Sequence, residues 1–316
     1  MRSALAVALL ALALALAACG GEGGPSSSPT TEPPTTTEPP PEPHPEPEPA
    51  PPEPAPPPSL PPPDVAMSWS SAGAFVWHEE DVSPEALGAE LRSAGFGWLA
   101  LRVHDGLVED PIVADWVARF RRASGLPVGG WGVLREDPVR EAALADALIA
   151  RHGLDFYVAN AELEYGYTAS DGQSPRRFER SRSFVSAFRR LRPALPAGLS
   201  SYCRPDRHDL DWGAWADSGF VFLPQAYVND FGPGASPVAC ARAARPVFGD
   251  SVHPTIGSYD GALGAPSPER YARLLGQAGT VGFSVYLAET GMTEDEWSVL
   301  GEAIVVAGIA RLPRPV

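Results

Sequence analysis

Within the stretch DFYVANAELEYG (Asp155 to Gly166), three residues have the types and spacing for acid–base chemistry. Asn160, Glu162 and Glu164 stand two apart, so an extended chain points all three to one face. Burying carboxylates on such a face is costly unless they are paired. Cleavage of a bond between sugars uses this arrangement. One carboxylic acid protonates the leaving oxygen, while a second carboxylate attacks, activates water or orients a substrate acetamido group. Glu162 ends an apolar run between Ala161 and Leu163, the partly dry setting that a proton donor needs. Asn160, one pleat deeper, would orient that acid or hold a substrate amide. Glu164, one pleat outward, is either the second carboxylate or part of the rim.

A strand carrying these residues needs partners, and the sequence supplies them. Short apolar runs recur at 74–78, 98–105, 127–134, 155–162, 198–203, 220–227, 252–260 and 282–289. Segments of helical period lie between them. Many of these open on a Ser or Asp followed by Pro: Ser83-Pro84, Asp110-Pro111, Asp137-Pro138, Ser174-Pro175, Ser236-Pro237 and Ser267-Pro268. A Ser or Asp side chain caps free amides, and proline fits the first helical position. Thr293 with Glu296 forms a capping box for a last helix, and a less clearly marked helix lies around Asp211 to Ala216. Eight strands alternating with helices predict an α/β fold, a (β/α)8 TIM barrel over residues 64–316. Such barrels place their chemistry at the C-terminal strand ends. Reading those ends gives Trp77 and His78, His104 and Asp105, Trp131, the Asn160 triplet, Tyr202, Gln225 and Tyr227, Tyr259 and Asp260, and Tyr286 and Glu289. Carboxylates and aromatic rings gathered on one rim match a sugar-binding cleft.

The runs LALRVHDG and YVANAELE resemble the second and fourth strands of the glycoside-hydrolase family 25 lysozymes, and PQAY resembles the aromatic sixth strand of related barrels. The resemblance implies a muramidase-like glycosidase with Glu162 as general acid and Asp105 as a substrate-contact acid. The sequence departs from that pattern in three places. The first-strand aspartate is missing, Asn160 stands where an aspartate is usual, and Gln225 stands where an acid is expected. Glu164, Asp105, Asp260 or Glu289 must then provide the second carboxylate. Otherwise the chain is a carbohydrate- or partner-binding barrel that lacks catalysis. Glu162 would then simply pair with Arg102, and Glu289 would neutralise a helix start.

Other chemistries find little support. The chain has no Lys, which excludes Schiff-base catalysis, pyridoxal phosphate attachment and a P-loop. GGWG lies inside a strand and opens no dinucleotide fingerprint, so no cofactor is expected. His78, His104 and Asp105 lack the spacing of a metal motif, and no metal is expected. The arginine-rich run RRFERSRSFVSAFRRLR carries Phe178, Phe184 and Phe188 at helical spacing, which predicts a helix with a solvated basic face.

The chain ahead of the barrel reads differently. Residues 1–18 have the profile of an export signal. The end Leu16-Ala17-Ala18-Cys19 resembles a bacterial lipobox, which implies that Cys19 is lipidated and becomes the mature N-terminus; an ordinary signal peptide with an incidental Cys is the alternative. Residues 19–63 are almost wholly Pro, Glu, Thr, Ser, Gly and Ala, too poor in apolar groups to fold. In polyproline II form at about 3.1 Å per residue, this stalk reaches on the order of 100 Å from a membrane. The barrel region carries 23 Arg against 32 acidic residues, which disfavours nucleic acid as a partner. The expected protein is a lipid-anchored, extracytoplasmic monomer that meets glycan or peptidoglycan. Outside the cytoplasm Cys203 and Cys240 would pair; a reactive thiol is the other possibility.

Overall fold

A computed structural model describes residues 61–162, 176–205, 210–257, 267–278, 282–286, 288, 297–298, 300–302 and 304. The described residues all belong to one compact unit, Pro57–Val316. Its eight parallel strands are β1 (Gly73–Val76), β2 (Trp98–Asp105), β3 (Val128–Val133), β4 (Tyr157–Asn160), β5 (Ala197–Tyr202), β6 (Val221–Gln225), β7 (Thr255–Gly257) and β8 (Ser284–Tyr286). Each pairs with its neighbours in sequence, and β1 pairs with both β2 and β8, so the sheet closes into the expected (β/α)8 barrel. Closure pairs every barrel strand on both sides. A two-residue strand, Val108–Glu109, folds back antiparallel on the end of β2.

Helices α1 (Pro84–Ala94), α2 (Trp116–Ser124), α3 (Pro138–His152), α4 (Arg176–Leu191), α5 (Trp212–Asp217), α6 (Pro237–Phe248) and α7 (Pro268–Ala278) pack outside. The proline signals mark their starts for physical reasons. Ser83, Asp137, Asp211 and Ser236 each accept a hydrogen bond from the amide three residues on. Asp110-Pro111 behaves otherwise. The Asp110 carboxylate lies 2.7 Å from Arg102 Nε as an ion pair, so it is not a cap, and α2 begins only after Asp115, at φ 64°. In α4, Phe184 and Phe188 are fully buried while Phe178 is exposed, so the apolar stripe is narrower than the phenylalanine spacing predicts.

Side chains alternate across the barrel wall. Leu99, Leu101 and Val103 face the helices, whereas Trp98 and Ala100 fill the interior with Phe75, Trp131, Phe156, Val158 and Leu223. Trp69, from the chain ahead of β1, closes the floor. Its ring meets Trp98 edge-on at 5.5 Å and Phe156 at 5.6 Å, and its carbonyl accepts from His253 Nδ1. Burying each such ring contributes about 1.5–3 kcal/mol.

Cys203 and Cys240 form a disulfide, which settles the choice between a bond and a free thiol. It joins the end of β5 to α6 and packs against Ala226 and Ala235. A bridge spanning 37 residues should contribute about 2–4 kcal/mol, mainly by restricting the unfolded chain. Urea denaturation of a Cys203→Ser/Cys240→Ser protein should show that loss; an unchanged midpoint and slope would refute it.

Candidate active site

The fourth strand sets the centre. Phe156 and Val158 point into the barrel, and the same parity carries Asn160 and Glu162 to its C-terminal mouth. Glu162 is half-buried and held through one oxygen. Its Oε1 accepts from Asn160 Nδ2 at 2.9 Å and from Gln225 Nε2 at 2.7 Å. Among the described residues none donates to Oε2. Gln225 Nε2 also reaches Asn160 Oδ1 at 3.2 Å, so three side chains from β4 and β6 form one network. Arg102, the cation available to neutralise a merely structural glutamate, is occupied by Asp105 and Asp110.

Glu162 lines a cavity of about 340 Å³. Asn160, Ser200, Gln225 and Thr255 supply neutral polar groups, and Trp131, Tyr202, Tyr227 and Tyr286 supply rings. Trp131 is fixed by its Nε1 donating to Val76 O at 2.9 Å. Tyr227 stacks on Tyr286 with centroids 5.7 Å apart. Flat apolar faces around a few directed polar groups are what a small ligand site requires. Asp230 and Phe231 also line the cavity and were not anticipated. They belong to a single helical turn, Val228–Phe231, just beyond β6. Their only signal in sequence is that PQAY runs straight on into VNDF.

Four expected rim residues lie apart from this cavity. His104 is the clearest correction: it is fully buried outside the barrel wall. The β2–β3 register shifts between Arg102 and His104, and that irregularity turns the ring outward. There Nδ1 donates to Gly106 O and Nε2 accepts from Tyr157 Oη at 2.7 Å. A Cβ at Gly132 would lie 2.0 Å from the ring, so only glycine leaves it room. Burial lowers its pKa to about 4. Asp105 is gripped by Arg135 at 2.6 and 2.9 Å and by Arg102 at 3.1 Å. Hydrogen bonds from Arg135 lower its pKa first, and its acceptor sites are committed. Trp77 is 39% exposed, stacked on His78 and lying over the Arg102 guanidinium.

Cys19, Glu164, Ser174-Pro175, Tyr259, Asp260, Glu289, Thr293 and Glu296 lie outside the described residues. Among those that are described, no cluster of His, Cys, Asp or Glu could hold a metal.

No family model matches the chain, and no curated protein matches it. Solved structures do resemble it. A family 18 chitinase from Pseudoalteromonas aurantia aligns over 74% of this chain and 99% of its own, at TM-score 0.54 and 11% identity. The catalytic domain of a Pyrococcus furiosus chitinase covers 76% and 97%, at 0.53 and 11%. A class V chitinase from Nicotiana tobaccum covers 74% and 98%, at 0.53 and 9%. At such identity the likeness concerns the fold alone, the (β/α)8 barrel. It does not single out the family 25 lysozymes that the strand motifs resemble.

Proposed function

We propose that this chain is an exported, lipid-anchored glycosidase acting on cell-wall or surface glycan, with Glu162 as general acid. The observation that carries the reading is the grip on Glu162: a carboxyl group at the barrel mouth, fixed through Oε1 by two amides, with no described residue donating to Oε2. A general acid must be positioned before it can be strong, and this network positions it. The ring-lined cavity suits a pyranose, and the fold shared with chitinases favours an N-acetylated glycan. With Asp105 committed to arginines, the second group is Asp230 in the same cavity, Glu164, Asp260 or Glu289, or the substrate's own acetamido oxygen, as in substrate-assisted hydrolysis. Cys19 would carry the lipid, and the proline-rich stalk would let a monomeric barrel reach polymer away from the membrane. The acidic balance and the neutral cavity polar groups speak against nucleic acid.

One observation favours a second reading, a non-catalytic glycan receptor: Asp105, the described strand-end acid of β2, is held by Arg102 and Arg135 rather than offered to the cavity. The two readings separate in one experiment. The purified protein is incubated with chitin oligosaccharides and with peptidoglycan, and released reducing ends are measured beside ligand retention. Release supports hydrolysis, retention alone supports the receptor, and neither on any glycan overturns both.

A further inference from the structure

Gln225 is only 5% exposed, yet its two ends meet different surroundings. Its amide nitrogen is spent inside the protein, on Glu162 Oε1 at 2.7 Å and Asn160 Oδ1 at 3.2 Å. Its carbonyl oxygen accepts from no described residue, although the side chain lines the cavity. That oxygen is open to the cavity, so a molecule that covers it must supply a donor in exchange or leave it unsatisfied. The backbone beneath is rigid. Gln225 pairs with Tyr202 of β5 and Thr255 of β7, and the next amide, of Ala226, donates to Thr255 O at 2.7 Å. Ala226 itself packs on the Cys203–Cys240 bridge.

Resting on the glycan reading above, we propose that Gln225 is its specificity-determining residue: the carbonyl takes a hydrogen bond from the sugar in the cavity while the amide nitrogen of the same planar group holds Glu162. A sugar with a hydroxyl or an acetamido N–H at that point is accepted. One lacking a donor there leaves the carbonyl unsatisfied and is rejected. Recognition and positioning of the acid thus share one side chain.

The test is calorimetric binding of chitobiose and of cellobiose, which lacks the acetamido groups, to the wild-type chain and to Gln225→Met and Gln225→Glu. Met matches the shape but removes both the acceptor and the amide donor to Glu162. Glu restores the acceptor alone, so the two variants separate the carbonyl's role from that of the nitrogen. Gln225→Met should weaken chitobiose about tenfold, the worth of one neutral hydrogen bond, and Gln225→Glu should recover most of that affinity. A penalty on chitobiose alone identifies the acetamido N–H as donor; a penalty on both sugars identifies a hydroxyl. Equal affinity in wild type and Gln225→Met, or no recovery with Glu in a protein whose melting temperature is unchanged, overturns the proposal and leaves the glycan reading standing. If the wild-type chain binds neither sugar, this proposal falls, while the glycan reading is decided by the peptidoglycan arm of the experiment above.

Discussion

Replacing Glu162 with Gln is expected to reduce glycan turnover by about a hundredfold to ten-thousandfold, the usual contribution of a general acid. The substitution keeps shape and volume. The new side-chain carbonyl still accepts from Asn160 and Gln225 where Oε1 did, so the three-residue network persists. What disappears is a group able to give up a proton to the leaving oxygen. Stability should therefore change by less than about 1 kcal/mol. The pairing of intact fold with lost turnover is the informative part, because a structural glutamate would show the reverse. Measuring kcat, KM and melting temperature together decides the matter. Undiminished kcat in Glu162→Gln would remove this residue from the chemistry.

The second large effect concerns acid. His104 and His253 are both fully buried, and burial lowers each pKa from 6.5 to about 4. In the unfolded chain both rings take up protons near pH 6.5, whereas the folded protein resists until about pH 4. Unfolding then binds protons, and stability falls as pH falls through that window. Each ring accounts for about 3 kcal/mol across it, a large share of the roughly 5–15 kcal/mol that holds a domain together. Glu79 and Glu141 act in the opposite sense. Burial raises their folded pKa values, so they favour the folded state as pH drops and offset part of the loss. Their offset falls in the same window. A carboxyl with a raised pKa takes up its proton above 4.5 in the folded state while it is still ionised in the unfolded chain, so it moderates the decline set by the two rings. Urea denaturation at pH 7, 6 and 5 should show a steep decline in unfolding free energy; a flat profile would contradict the buried, neutral state of both rings.

The barrel was legible because its signals are local. Each strand is a short apolar run, and Ser83, Asp137 and Ser236 announce helices through amides three residues away. The same locality explains the failures. Asp110 has the right neighbour in Pro111, but its partner Arg102 lies on the preceding strand. His104 has the right parity for the barrel interior, and a register shift reverses it. Asn160 and Glu162 follow regular alternation, so their inward direction could be read directly. Their link to Gln225 joins strands 63 and 65 residues apart in sequence, and no spacing rule contains it. Asp230 and Phe231 escaped notice because their turn belongs to no periodic element.

The Trp69 closure has a kinetic corollary. With aromatic rings sealing the opposite end, a molecule bound at the mouth has no exit through the floor of the barrel. Spent sugar would then occupy the path of the next one, and inhibition by released product should be competitive, growing with the length of the fragment left inside.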